Sequence, residues 1–326
     1  MAFAAAGQQI TSIEAKKLMK QPVYSVMDKA QAGPSGDKHD YVSYAPYWWP
    51  DPSKPDGLPY IRKDGHTNRE LTATGDAEHF ATTARIVRQL AQAFVETGEP
   101  SYAENAARRI AVWFTEPSKR MNPHLNYGQI VKGRNEGRGA GLVTMRALID
   151  ILDAVQDLKS KKAWLAGDDA ALREWMMAYH KWLTTSRIGL EEAAAKNNHG
   201  SWYNAQAMRI EIYLGLKSEA KTRANALKNR IAWQFEPDGT QPLEAAREDG
   251  FSYSVFNLEA LAHAALIAKP LGVDLWKYQT ADKRGMQQAF QYLQPYASGS
   301  KPWAGKQLKK IPADALAKVR ELYEKR

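Results

Sequence analysis

The stretch AEHFATTARIVRQLAQAFVETG, residues 77–98, places Phe80, Ala84, Val87, Ala91 and Phe94 at steps of four and three. That spacing lines up one stripe of a 3.6-residue helix, and Gly98 supplies a stop. The same periodicity recurs in SYAENAARRIAVWF, in LVTMRALIDILDAVQDL (Leu148, Ile149, Leu152, Val155) and in DDAALREWMMAYHKWLTT. It continues from about Ser201 to Leu216, then through EAKTRANALKNRIAWQF, FSYSVFNLEALAHAALIAK and the final ADALAKVRELYEK. Strand-like alternation is almost absent, so the fold class is all-α. The connections are short or moderate, with no Ser/Gly-rich linker, and the expectation is a single domain over residues 1–326.

Two segments resist the helical pattern. DYVSYAPYWWPDPSKPDGLPYIRKDG, residues 40–65, has five prolines together with Tyr41, Tyr44, Tyr47, Trp48, Trp49 and Tyr60. The prolines forbid a regular helix, and so many large rings are costly to bury together. RMNPHLNYGQIVKGRNEGRGAG, residues 120–141, is rich in Asn, Gly and Arg. Long loops carrying aromatics and fixed polar groups are where helical scaffolds put binding sites.

Composition narrows the function. The chain has no cysteine, which excludes disulfides, thiolate metal sites and cysteine nucleophiles. Net charge is +9, spread along the chain, which suits a basic surface or cleft and an acidic partner. No helix-turn-helix spacing, RNP-like strand or zinc module supports nucleic acid as that partner. No apolar run approaches the roughly 18 residues of a membrane span, so no membrane insertion is expected. The opening MAFAAAGQQ, within residues 1–10, reads as a signal-peptide remnant or engineered start and favours a periplasmic or secreted location. A monomer or weak oligomer is expected.

Two stretches carry groups suited to chemistry. In KNNHGSWYNAQ, residues 196–206, Asn197 or Asn198 can cap the helix that continues through Tyr203, Ala207, Ile210 and Leu214. His199 then sits in the first helical turn, where the dipole favours an anion and a neutral imidazole beside an amide can bind a carboxyl group. In PLEAAREDGFSYSVFNLEAL, residues 242–261, Arg247 precedes a helix whose first turn presents Tyr253. Arg247 could equally pair with Glu244 or Glu248 at the surface. His, Arg and Tyr together fit β-elimination from a 4-linked uronate, where the C5 proton must leave while the adjacent carboxylate is neutralised.

NNHGSW, the Arg247–Tyr253 segment, YAPYWWPDPSKPDGLPYIRKDG and MNPHLNYGQ together resemble the alginate lyase superfamily of polysaccharide lyases, which includes glucuronan lyases, over about residues 40–305. The resemblance implies an incomplete (α/α) toroid, a barrel of antiparallel helical hairpins with long loops over a deep cleft. It also implies that Asn198, His199 and Arg247 neutralise the uronate carboxyl and that Tyr253 is base and acid. Alginate lyases place this Tyr seven residues after the Arg. Here it follows by six, and Ser254 at the seventh cannot replace a phenol. In mannuronate and glucuronate the C5 proton and the leaving oxygen share one face, so a single Tyr can serve both; in guluronate they do not, and His199 would have to share the work. The phenol, with an ordinary pKa of about 10, needs nearby cations to act as base.

Tyr47, Trp48, Trp49 and Trp202 are then expected to bind sugar rings, with Asn122, Asn126, Tyr127, Gln129 and Arg138 lining the cleft. The implied partner is an acidic polysaccharide or oligosaccharide. A glycoside hydrolase is the first rival and needs two flanking carboxyl groups, for which Asp51, Glu244, Glu248 and Asp249 are available. A non-catalytic binder of acidic glycans is the second. His39, His66, His79, His124, His180, His199 and His263 show no HxxxH or HExxH spacing, so neither a catalytic metal nor a cofactor is expected.

Overall fold

The computed structural model describes residues 11–325, so the leader-like residues 1–10 lie outside the described residues. The chain is predominantly helical and forms two compact units, residues 11–191 and 192–325 among those described. The boundary falls inside the short helix Arg187–Ala193 and has no compositional mark.

In the first unit the helix Ala77–Thr97 packs against Pro100–Phe114 and Leu148–Ser160. Phe80, Ala84, Val87, Ala91 and Phe94 are all buried, as their spacing predicts, and Gly98 ends the helix in the left-handed conformation. Phe80, Trp113, Phe114 and Trp175 form a chain of tilted and edge-on rings in this core. Arg109, fully buried, donates to the carbonyls of Leu18, Gln21 and Pro22, and so caps the carboxyl end of the helix Ser12–Met19. That first helix was not legible in the sequence. The stretch 142–158 is only partly α-helical: Gly139–Met145 is a 3₁₀ turn, and the α-helix begins at Leu148.

The two segments that resist the helical pattern contain all four short strands found among the described residues. Strand β1 (Val42–Tyr44) pairs in parallel with β4 (Tyr127–Ile130), while β2 (Trp48–Trp49) pairs antiparallel with β3 (Ile61–Arg62). Asp76 N–H donates to the Val42 carbonyl, Val42 N–H donates to Asp76 Oδ2, and a buried ion pair of Asp76 with Lys29 at 3.2 Å completes the tie of β1 to the start of Ala77–Thr97. Burial pushes the Asp76 carboxyl up to about 6, against the pull of the Lys29 ammonium.

In the second unit the helix Gly250–Ala268 is apolar nearly all round and packs against Asn198–Leu214, Met286–Ala297 and Ala317–Glu324. Gly250–Leu271 corrects the expectation about apolar runs, because it is long and apolar enough to match a membrane span by length and composition. More than half of that window is buried within the protein, and it carries Asn257, Glu259 and His263. Gly215, left-handed, separates Asn198–Leu214 from the next helix, Lys217–Gln234. Met286–Ala297 contains Pro295, which hid it from periodicity.

Candidate active site

The sequence left open which asparagine caps the helix. Asn197 does so, its side chain accepting from the His199 backbone N–H at 3.2 Å. Asn198 is thereby the first helical residue and is 1% exposed. Its backbone N–H and its Nδ2 both donate to the carboxylate of Glu244, at 2.6 and 2.7 Å. With the amide oriented by Glu244, Asn198 Oδ1 is a buried acceptor without a hydrogen-bond partner among the described residues.

His199 is half-buried, and its Nδ1 lies 2.7 Å from Oε1 of Glu192, a residue 3% exposed. A carboxylate only accepts, so Nδ1 carries the proton and a neutral ring presents Nε2 as a lone pair. This refines the expectation from the dipole alone. A buried negative charge stands behind the imidazole, and an imidazolium here would donate from Nε2 while pairing with Glu192.

Glu244 joins these two residues to the second stretch. It belongs to the one-turn helix Pro242–Ala245, is 2% exposed, and its backbone carbonyl accepts from Arg247 N–H at 3.0 Å. Burial raises its carboxyl above the ordinary range, while the two Asn198 bonds and the charges of Arg247 and His199 act the other way. The Arg247 guanidinium lies over the Tyr253 ring, 3.7 Å from its centroid, and both side chains are half-buried. Thus Asn198, His199, Arg247 and Tyr253 form one connected cluster with Glu192 and Glu244 behind it.

A buried polar layer holds this cluster in place. Gln234 donates to the carbonyls of Lys196 and Asn197, and Ser201 Oγ donates to Gln234 Oε1. Asn257 donates to Gln241 Oε1 at 2.8 Å, and Gln241 donates to the Ser254 carbonyl at 2.9 Å. Arg230 donates to the carbonyls of Ala195 and Ala193, and burial lowers its guanidinium to about 10. Gly200 makes this possible: a Cβ there would meet the Arg230 guanidinium at 2.5 Å and collide with the Ala195 carbonyl. Glu192, Arg230, Gln234, Gln241 and Asn257 were missed in the sequence because each looks like an ordinary helical or turn residue and its bonds to the site depend on the fold, not on a local pattern.

The remaining expected site residues fall elsewhere. Trp202 is 2% exposed and packs on Phe256 and His263 at 5.1 and 5.6 Å, so it is a core ring and not a sugar platform. In the first unit, Tyr47, Trp48 and Trp49 are half-buried. Arg134 and Arg138 lie over Trp48 at 5.1 and 5.9 Å, and Lys63 lies over Trp49 at 5.7 Å. Gln129, with φ +52°, accepts from Arg138 at 2.7 Å while its backbone N–H donates to Ser43 Oγ. Asn122 donates to Asp37 and Asp40, Asn126 accepts from Trp182 Nε1 at 2.9 Å, and Tyr127 opens β4 opposite Val42. These three therefore have structural partners already.

The four carboxyl groups considered for hydrolysis are likewise engaged. Glu244 holds Asn198, Glu248 pairs with Lys306 at 2.6 Å, Asp249 pairs with Lys309 at 3.3 Å, and Asp51 accepts from Ser53. Among the described residues no group of three or more His, Asp or Glu side chains gathers as a metal site.

The sequence pattern of the alginate lyase family matches residues 25–303. The chain belongs to the alginate lyase family. It is accordingly a polysaccharide lyase, and its fold agrees. A crystal structure of an alginate lyase from Bacteroides ovatus shares 38% identity at a TM-score of 0.88, covering 95% of this chain and 81% of that one. Alginate lyase A1-III from Sphingomonas species A1 is 15% identical with a TM-score of 0.59, covering 94% and 80% of the two chains, a likeness of fold alone. A histidine-to-alanine form of A1-III, solved as a complex with a tetrasaccharide, gives 15% and 0.60, covering 92% and 81%. No curated protein matches this lyase.

Proposed function

We propose that this lyase cleaves 4-linked polyuronate, polymannuronate or glucuronan, by β-elimination at the Asn198–His199–Arg247–Tyr253 cluster. The observation that carries the reading is the bridge through Glu244, which ties Asn198 to the turn bearing Arg247, with Arg247 stacked on Tyr253. Asn198, His199 and Arg247 bind the uronate carboxyl and offset its charge as negative charge moves onto it from C5. Tyr253, as phenolate, removes the C5 proton; the C4–O bond then breaks, a C4=C5 double bond forms, and the proton passes from Tyr253 to the departing glycosidic oxygen. The guanidinium against the ring supports negative charge on the phenol. Glu192 gives His199 one tautomer, and Glu244 gives Asn198 one orientation.

The half-buried Tyr47, Trp48 and Trp49 and the arginines stacked on Trp48 support a role for the 40–65 loop in binding acidic sugars. The incomplete toroid and a periplasmic or secreted location belong to the same proposal. A panel of polymannuronate, polyguluronate, glucuronan and hyaluronan, followed by the ultraviolet absorbance of unsaturated uronate ends, tests it. Faster absorbance growth with polymannuronate or glucuronan supports the reading. New reducing ends without that absorbance overturn it in favour of hydrolysis.

A further inference from the structure

In the second unit, a hollow of about 850 Å³ lies between Tyr296 and Ala313. Lys301, Lys309 and Lys310 line it together with the rings of Tyr296 and Trp303, and no Asp or Glu is among its lining residues. Lys301 and Lys310 are exposed, and the Lys301 ammonium is 5.3 Å from the Tyr296 ring centroid. Trp303, half-buried, stands edge-on to the buried Tyr296 at 5.0 Å, so part of an indole ring and positive charge occur side by side. That combination matches the two chemical faces of a uronate chain: rings whose C–H faces pack on aromatics, and one carboxylate per sugar.

This hollow is joined to the catalytic turn through backbone as well as side chains. Gly250 and Leu308 N–H donate to the carbonyls of Lys306 and Glu248, and Asp249 Oδ1 accepts from the N–H groups of Leu308 and Lys309. Gln307 accepts from Phe251 N–H and donates to Ser252 Oγ, while Trp303 packs edge-on against Phe251. Residues 306–309 thus bracket 248–252, the segment between Arg247 and Tyr253. They also lie outside the 25–303 match to the family, so nothing in that match assigns them a role.

We infer that the Tyr296–Ala313 hollow is an accessory binding site for acidic polysaccharide, engaging sugars beyond those held at the cleavage point. The inference rests on the polyuronate reading above, and the test separates the two. Lys301→Glu combined with Lys310→Glu reverses two exposed charges and leaves Lys309 and its Asp249 pair intact. The ratio of kcat/KM on long polyuronate to kcat/KM on a tetrasaccharide of the same uronate is expected to fall roughly tenfold at low salt, and less at high salt. In parallel, the full-length Tyr253→Phe protein is titrated with the long polymer, with and without the two Lys→Glu changes, and the doubly reversed form should bind more weakly. Unchanged ratio and unchanged polymer affinity overturn the accessory site while leaving the lyase reading standing. Absence of unsaturated product from every uronate overturns the lyase reading, and binding by Tyr253→Phe protein then decides the hollow by itself.

Discussion

Replacing Glu192 by Gln tests whether the carboxylate behind His199 matters to turnover. The two groups are 2.7 Å apart, and Glu192 is 3% exposed, so solvent screening is weak. Hydrogen bonds involving a charged group contribute about 1.5–3 kcal/mol and neutral ones about 0.5–1.5 kcal/mol, so the change from carboxylate to amide removes about 1–2 kcal/mol of support for a charged imidazole. If that charge helps to offset the uronate carboxylate in the transition state, kcat/KM falls roughly 5- to 30-fold. The amide also ends the control of tautomer, because Gln can either accept from Nδ1–H or donate to a bare Nδ1. The assay is unsaturated-uronate absorbance with polymannuronate or glucuronan, run beside nitrogen-15 NMR of the imidazole. The wild-type ring should show a protonated Nδ1 and Glu192→Gln a mixture. A variant within about twofold of wild type in kcat/KM, with Nδ1 still uniformly protonated, would refute the reasoning.

Tyr253→Phe keeps the ring under the Arg247 guanidinium but removes the group assigned as base and acid; product formation should drop at least about 10²-fold while polyuronate binding persists. A variant retaining full turnover would move the base elsewhere. Asp76→Asn leaves the buried Lys29 ammonium without its counter-charge, at an expected cost of about 3–5 kcal/mol, which lowers Tm by roughly 10 °C; a shift under about 2 °C would show that the pair contributes little. Glu244→Gln tests the sign of a raised carboxyl. The folded state holds that proton more tightly than the unfolded state, so wild-type stability falls as pH rises above about 4.5, the ordinary value, through the raised one. The difference Tm(Glu244→Gln) minus Tm(wild type) should therefore grow from about pH 4 to 7, and a difference that shrinks with pH contradicts the burial argument.

Much of the fold was legible because its helices are amphipathic: the stripe from Phe80 to Phe94 and the Leu148, Ile149, Leu152, Val155 set are buried as spaced. Ser12–Met19 was not, since its anchoring comes from Arg109, some ninety residues away. The strands escaped notice because runs of two to four residues have no readable period, and β1 finds its partner in a separate loop. At the site, NNHGSW and the Arg247–Tyr253 segment carried their own signal. Glu244 was visible only as a candidate surface partner for Arg247 or a hydrolytic acid. Its bond to Asn198 depends on a meeting of residues 46 positions apart, which no local pattern encodes. Trp202 misled for a related reason: a tryptophan beside a candidate site motif looks the same in sequence whether it meets a sugar or the core.

The bare Cα of Gly200, with the Arg230 guanidinium against it, divides the NNHGSW motif into two kinds of information. Asn198 and His199 are proposed to act on a substrate, whereas the glycine records the Ala195 carbonyl and the Arg230 guanidinium packed against it. Shortening the arginine alone should not free position 200, because the Ala195 carbonyl, 2.1 Å from where a Cβ would lie, still bars a side chain. A library that randomises the motif around a fixed Arg230 would recover glycine at 200 even under selection for folding alone, with no substrate present.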